Sequence, residues 1–185
     1  MDDRDIIALY WQRAETAIHE TAAKYGGLCY TIAHNILSSR EDSEECVNDT
    51  YLGLWNTIPP QKPERFSAFV ARVARNLALK RFDHVNAQKR NPAAVRSLEE
   101  LEECVSGRES METEVEARRL KELLDAFLWK QDEERRNIFL LRYWYFESID
   151  SICRRTGCSR SKIKSMLFQT RKKLRAYLEE EGVAL

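Results

Sequence analysis

Residues 148–164 have the sequence SIDSICRRTGCSRSKIK, which predicts two helices joined by a tight turn. Apolar residues recur at helical spacing before the turn, at Ile149 and Ile152. Gly157 suits a helix end that needs a positive φ, and Ser159 suits the N-cap of the helix that follows. The stretch therefore predicts a helix-turn-helix, a motif whose second helix enters the major groove of DNA.

The helix after Ser159 has two faces of different chemistry. Its spacing places five apolar side chains inward: Ile163, Met166, Leu167, Leu174 and Leu178. Four outward residues of the first turns can reach base edges: Arg160, Ser161, Lys162 and Ser165. Further along, Lys164, Arg171, Lys172 and Lys173 are placed for phosphates, and Gln169 also lies outward. The alternative is a plain helical hairpin with a solvated basic face.

Charge is strongly segregated along a chain of 185 residues whose formal net charge is zero. Residues 154–175 contain nine Lys/Arg and no acid, whereas solvated faces usually mix signs. Residues 66–90 contain six Lys/Arg and one acid, and residues 41–49 contain five acids and no base. Residues 99–122 contain nine acids and four bases. These two basic and two acidic segments are stronger evidence for a nucleic-acid partner than the zero net charge is against one.

Composition indicates a globular protein, with 43% apolar and 32% charged residues. No apolar stretch is long enough to span a membrane, so we expect no membrane insertion. The five cysteines are an odd number without a CxxC pair, which favours reduced thiols and a cytoplasmic location.

The helical periodicity predicts an all-α fold of two small domains joined by a flexible linker, the second domain containing the helix-turn-helix. We expect domains at 1–90 and 114–185, with a linker at 91–113 that forms at most one helical turn, near Leu98 and Leu101. In the first domain, one long or broken helix is expected over 6–37, with Gly26 and Gly27 as either a break or a close-packing point. Further helices are expected from about Ser39 to Thr57 and from about Ser67 to Val85.

Residues 42–55, DSEECVNDTYLGLW, predict a helix with a core face and an acidic face. The core face contains Cys46, Val47, Thr50, Tyr51, Leu54, Trp55 and Ile58. The other face contains Asp42, Glu45, Asp49 and, one turn later, Leu52. An acidic face with an apolar edge suits a basic partner, but acids near a helix N-terminus are also favoured by the helix dipole alone.

This stretch resembles the segment of bacterial sigma factors that docks on the clamp helices of RNA polymerase's largest subunit. The family pattern is D-A-E-D-L-V-Q-E-T-F-L-R-L-W, and the identical positions are Asp42, Glu44, Val47, Thr50, Leu52, Leu54 and Trp55. Glu45, Asn48, Asp49 and Tyr51 are close substitutes. Gly53 replaces a longer residue.

Two further stretches resemble the same family in the same order. Residues 66–78, FSAFVARVARNLA, are similar to the helix F-x-x-W-L-x-x-I-A-R-N-x-A that melts and reads the −10 element. Residues 139–143, FLLRY, match an element of the −35-reading domain. The family's Thr-Val pair is Lys162-Ile163 here, and its Arg-Ala-Arg run is Gln169-Thr170-Arg171. The chain is thus identified as similar to compact sigma factors of the extracytoplasmic-function group.

The resemblance implies a transcription initiation factor with RNA polymerase core and promoter DNA as partners. It implies docking on the clamp helices through Asp42, Glu45, Asn48, Asp49 and Leu52, and a −35-reading domain seated on the polymerase flap. It implies −10 contacts by Arg72, Arg75, Asn76 and Lys80. It assigns the −35 element to Arg160, Ser161, Lys162, Lys164, Ser165, Gln169, Arg171 and Lys172. Members of this family are often held inactive by an anti-sigma factor that covers these surfaces.

Two other functions explain the sequence less fully. A free-standing helix-turn-helix regulator would use the C-terminal motif but not the acidic helix. An enzyme would need a catalytic constellation, and we find no nucleophile motif or phosphate-binding glycine loop. The three histidines do not lie near cysteines at zinc-ligand spacing. We therefore expect no catalytic residue, metal or cofactor.

Overall fold

The computed structural model describes residues 1–84, 91–105 and 114–183. In these ranges the chain forms nine α-helices and no strand, which confirms the predicted all-α fold. The chain divides into two compact units, Met1–Pro92 and Ala93–Leu185. Among the described helices, none combines the length and the apolar character that a membrane crossing requires.

The first unit contains four helices: α1 (Asp3–Trp11), α2 (Thr16–Leu37), α3 (Arg40–Thr57) and α4 (Phe66–His84). Of the two alternatives for Gly26 and Gly27, a break does not occur, because α2 runs through both glycines, whereas close packing is found at Gly26. The chain instead breaks between α1 and α2, where Arg13 has a φ of 55°. Gly26 has a packing role: a Cβ there would lie 3.0 Å from the Tyr51 hydroxyl oxygen.

The core of the first unit forms where α1, α2, α3 and α4 meet. Ile6, Leu54, Phe66 and Val70 are almost completely buried in it. Tyr10 is also fully buried, and its hydroxyl lies 3.0 Å from the Thr21 Oγ1, so its polar end is satisfied. The helices supply this core because their apolar residues recur at helical spacing.

The second unit contains five helices: α5 (Pro92–Val105), α6 (Glu114–Lys130), α7 (Glu133–Tyr143), α8 (Ile149–Thr156) and α9 (Arg160–Glu180). The prediction of at most one helical turn near Leu98 and Leu101 is wrong, since α5 has 14 residues. Ala94, Leu98 and Leu101 share one face at helical spacing, and Leu101 packs against the core of this unit. The rest of the predicted linker, residues 106–113, lies outside the described residues.

The core of the second unit is built by α6 to α9. Its members from α7 and α8 include Ile138, Phe139 and Ile152. The five α9 side chains predicted to point inward are each at most 7% exposed, which confirms the predicted core face: Ile163, Met166, Leu167, Leu174 and Leu178.

The helix-turn-helix forms as its turn residues predict. Ser148 caps α8, with its Oγ 3.2 Å from the Ser151 backbone nitrogen. Gly157 ends α8 with a φ of 71°, a conformation that costs glycine little. Ser159 caps α9, and its Oγ accepts a hydrogen bond of 3.2 Å from the Lys162 backbone N–H. The start of α9 is therefore fixed by local side chains.

Candidate nucleic-acid and polymerase interfaces

The outward face of α9 is polar and basic, as the sequence predicted. Seven of the eight residues assigned to the −35 element are exposed: Arg160, Ser161, Lys162, Lys164, Ser165, Gln169 and Lys172. The eighth, Arg171, is mostly buried, with 16% of its side chain exposed. Sequence reasoning did not anticipate this burial.

Phe168 lies on the same exposed face and was missed by the sequence analysis. Its side chain is 61% exposed, which is unusual for phenylalanine. Ser161, Ser165, Phe168 and Lys172 follow one another at helical spacing and form a single stripe along α9. The sequence contained a signal for this exposure. Phe168 follows Met166 and Leu167, which occupy the core face, so helical spacing places Phe168 outside that face. An exposed ring on a groove-entering helix can contact the methyl group of thymine.

Arg160 and Lys162 lie on either side of that stripe, and each is paired with an acid. The Arg160 Nη2 lies 2.6 Å from both carboxylate oxygens of Asp150 on α8. The Lys162 Nζ lies 2.6 Å from Glu134 on α7, and this hydrogen bond lowers the pKa of Glu134 and raises that of Lys162. These pairs are exposed and therefore contribute little to stability, so DNA can compete for both cations.

Arg171 is held inside the second unit. Its Nη1 lies 3.4 Å from the Glu100 carboxylate on α5 and also contacts the Tyr143 hydroxyl. The phosphate contact predicted for Arg171 stays a prediction, and in this conformation the guanidinium is already engaged by another anion.

The acidic face of α3 is presented as predicted. Glu45, Asn48 and Asp49 are exposed, and Leu52 is 57% exposed, whereas Asp42 is half-buried. The opposite face contributes to the core of the first unit. The result is a continuous surface of acids and an amide that ends in one apolar side chain.

Arg81 on α4 reaches this acidic face. Its Nη2 lies 2.6 Å from the Glu45 carboxylate, and its Nη1 donates a hydrogen bond of 3.2 Å to the Asp42 carbonyl oxygen. The hydrogen bond with Glu45 raises the pKa of Arg81. Asp49 and Leu52 extend the face further along the helix.

Gly53 is where α3 and α4 approach closely. A Cβ at this position would lie 3.2 Å from the Val73 Cγ1 and 3.9 Å from the Leu77 Cδ1. The Cβ of the longer residue in the family pattern would press against Val73, whereas its distance to Leu77 is an ordinary van der Waals contact, so the close approach to Val73 favours glycine here.

The outer face of α4 is polar rather than aromatic. Arg72, Asn76 and Lys80 are exposed and separated by four residues each, so they form one row. Arg75 is half-buried beside this row, and burial lowers its pKa. Phe69, the counterpart of the family's tryptophan, is only 7% exposed, and the Arg72 guanidinium lies 5.0 Å from its ring centre. The row therefore offers charge and hydrogen bonds to a DNA strand.

Histidine, cysteine, aspartate and glutamate side chains do not gather into a group of three that could hold a metal ion within residues 1–84, 91–105 and 114–183. Cys29 and Cys46 are buried free thiols, and burial raises the pKa of Cys29 to about 12. A thiol with so high a pKa is unreactive at neutral pH.

Two family models match the chain in the order expected from its motifs. Sigma-70 region 2 matches residues 21–89, which include most of α2 and all of α3 and α4. Sigma-70 region 4 matches residues 132–174, which include α7, α8 and most of α9. The chain therefore belongs to the sigma-70 family of bacterial transcription initiation factors.

The more specific prediction, a compact sigma factor of the extracytoplasmic-function group, stays a prediction, because the two matching models define the sigma-70 family as a whole. The protein directs promoter recognition in transcription initiation, and its two regions imply RNA polymerase core and promoter DNA as partners. Sigma factor families are non-enzymatic transcription factors.

A comparison with curated protein sequences gave no match. Among solved structures, the chain is similar to CnrH in its complex with the cytosolic domain of CnrY, at 20% identity and a TM-score of 0.43. That similarity covers 96% of the present chain and 97% of CnrH. A similarity at this TM-score supports no conclusion about the fold or function of the present chain.

Proposed function

We propose that α9 reads the −35 element, that the outer row of α4 contacts the −10 element, and that the acidic face of α3 docks on the polymerase clamp helices. The observation that carries this proposal is the helix-turn-helix itself. Its second helix starts at a capped turn and exposes a basic face along its length. Such a helix fits the major groove, with its first turns towards the bases.

The −35 assignment separates the α9 residues into two classes. Arg160, Ser161, Lys162 and Ser165 lie in the first turns and are proposed to contact base edges. Lys164 and Lys172 are proposed to contact phosphates, Gln169 flanks them, and Arg171 joins the phosphate contacts once it is released. A base contact contributes discrimination, whereas a phosphate contact strengthens all sequences alike.

Transcription from a library of −35 variants with core polymerase tests these classes. Arg160→Ala or Lys162→Ala should change the ranking of −35 sequences, by about 1–3 kcal/mol for a lost bidentate contact. Lys172→Ala should weaken all promoters and lower the salt dependence by about one counterion. If the Arg160 and Lys162 variants keep the wild-type ranking and lose only overall strength, α9 does not read bases in this way.

The docking surface is supported by its exposure and by its opposite charge to a basic partner. Replacing Glu45 and Asp49 together by arginine should abolish binding to core polymerase. Both side chains are exposed, and a partly exposed ion pair such as Glu45–Arg81 contributes only about 1 kcal/mol, so folding should be preserved. Glu64→Arg, at another exposed acid of the first unit, is the control. Normal co-purification of the double variant with core would refute the docking assignment.

The −10 assignment is supported by the row of Arg72, Asn76 and Lys80, with Arg75 beside it. We propose that this row holds the non-template strand mainly through its phosphates, because the aromatic Phe69 is buried. The proposed flap contact of the second unit would bring α9 to the −35 element.

We further propose that the chain works in the cytoplasm without a cofactor and without catalysis of its own, since polymerase performs the chemistry. An anti-sigma factor that covers both the acidic face of α3 and the basic face of α9 would block both partners. Run-off transcription with core polymerase plus this protein tests the proposal as a whole. No transcript above that of core alone would refute it.

A further inference from the structure

One carboxylate joins α5 to the helix-turn-helix. Glu100 accepts hydrogen bonds from the Arg142 Nη2 at 3.2 Å and from the Tyr143 hydroxyl at 2.9 Å. It also accepts one from the Arg171 Nη1 at 3.4 Å. Three side chains from α7 and α9 therefore meet a residue of a helix that sequence reasoning assigned to a linker.

This contact differs from an ordinary surface ion pair. Arg142 is 3% exposed, and its Nη1 donates a further hydrogen bond of 3.2 Å to the Glu147 carbonyl oxygen. The side chain of Glu100 is 23% exposed. Pairs that are partly shielded from solvent are screened much less by salt than exposed pairs. Next to Glu100, Leu101 packs against the apolar core, so polar and apolar contacts hold α5 at the same place.

The surroundings of Glu100 are strongly basic. A cavity of about 220 Å³ in the second unit is lined by Glu100 and by four cations: Arg96, Arg142, Lys164 and Arg171. Two of these cations, Lys164 and Arg171, belong to α9. Two apolar side chains, Ile149 and Leu167, complete the lining, and Glu100 of α5 is its one acidic member.

A phosphate of DNA has the same chemistry as the Glu100 carboxylate. Both are oxygen anions that accept charge-assisted hydrogen bonds from guanidinium groups. Arg171 cannot give the same N–H groups to Glu100 and to a phosphate at once. We propose that α5 is an internal clasp, in which Glu100 occupies the place of a DNA phosphate beside Arg171 and Lys164, so that docking of α5 and full DNA contact by α9 exclude each other.

The clasp would weaken DNA binding by the free protein, and release of α5 would add a phosphate contact. This inference rests on the proposed DNA-reading role of α9. The two are separable by experiment, because the docking of α5 can be measured without DNA. Wild-type run-off transcription with core polymerase tests the DNA-reading role independently of the clasp.

The test compares Glu100→Gln with Glu102→Gln in the full chain. Both variants remove one negative charge from α5, but Glu102 is exposed. Amide hydrogen exchange reports the docking of residues 93–102, and fluorescence anisotropy reports binding to a random-sequence DNA duplex at several salt concentrations. Glu100→Gln should speed exchange in α5, raise DNA affinity severalfold, and steepen the salt dependence of log K by about 0.9, the effect of one phosphate contact. Glu102→Gln should stay close to wild type in all three.

Two further variants exclude trivial explanations. Leu101→Ala loosens α5 without changing any charge, and it should reproduce the faster exchange and the tighter DNA binding. Adding Arg171→Gln to Glu100→Gln should cancel the gain in DNA affinity. Unchanged exchange in both Glu100→Gln and Leu101→Ala would overturn the clasp. Faster exchange with DNA affinity and salt dependence equal to those of Glu102→Gln would overturn the competition with DNA.

Discussion

Replacing Phe168 by alanine should weaken DNA binding without affecting folding. Complete burial of a phenylalanine side chain contributes about 1.5–3 kcal/mol. Phe168 is 61% exposed in the free protein, so DNA can bury at most that fraction. The expected loss is about 0.9–1.8 kcal/mol, or about 5- to 20-fold in the dissociation constant. By the same measure, the part of the side chain that is already buried contributes about 0.6–1.2 kcal/mol to the unfolding free energy, a loss that leaves the protein folded.

Fluorescence anisotropy with a promoter duplex measures this loss. Trp129→Ala is the matched control, because Trp129 is 71% exposed but lies on α6 rather than on the groove-entering helix. Exchanging each thymine for uracil removes one methyl group at a time. At the position that Phe168 contacts, the wild type should lose affinity and the variant should not. If Phe168→Ala is folded and binds DNA within a factor of about two of wild type, the ring does not enter the groove.

Two substitutions of glycine by alanine should change stability in opposite directions. Gly157→Ala should cost about 1 kcal/mol, since Gly157 has a φ of 71° and open space around it, whereas Gly27→Ala inside α2 should stabilise by a similar amount. Urea unfolding measures both, and effects of the same sign would contradict the reasoning. Asp3 provides a pH test: burial opposes its ionisation, but hydrogen bonds from Lys24 and Tyr25 outweigh burial and lower the pKa of Asp3 from its ordinary 3.8. Its contribution to stability should therefore be present above pH 3.8 and disappear as the pH falls further, and Asp3→Asn should remove this part of the pH dependence.

The helix-turn-helix could be predicted because its determinants are local. Gly157 and Ser159 specify where one helix ends and the next begins, and each acts within a few residues of its own position. The core face of α9 followed from apolar spacing in the same way. The acidic face of α3 was predictable for the same reason. Once the apolar spacing identifies the core face of a helix, the residues on its other face are expected to be exposed.

The structural features that sequence reasoning missed depend on distant contacts. Arg171 was predicted to contact phosphates, and its burial was not foreseen because its partner Glu100 lies 71 residues away in the chain. The helix α5 was read as linker because the face it uses contains residues as small as Ala94. The break before α2 depends on the left-handed conformation of Arg13, and no local sequence pattern predicted that conformation. In each of these cases, tertiary packing rather than local sequence preference determines the structure.

The absence of a side chain at Gly53 has a mechanical consequence. With no Cβ between them, α3 and α4 pack closely, with Val73 and Leu77 against the glycine. Closely packed helices do not slide past one another without breaking many contacts. The proposed polymerase-docking face and the proposed −10 face are thus carried by a stiff pair of helices. Because the two helices would move as one rigid body, a movement of the polymerase clamp would displace the docking face and the −10 face together. The promoter strand bound at the −10 face would therefore move with the clamp.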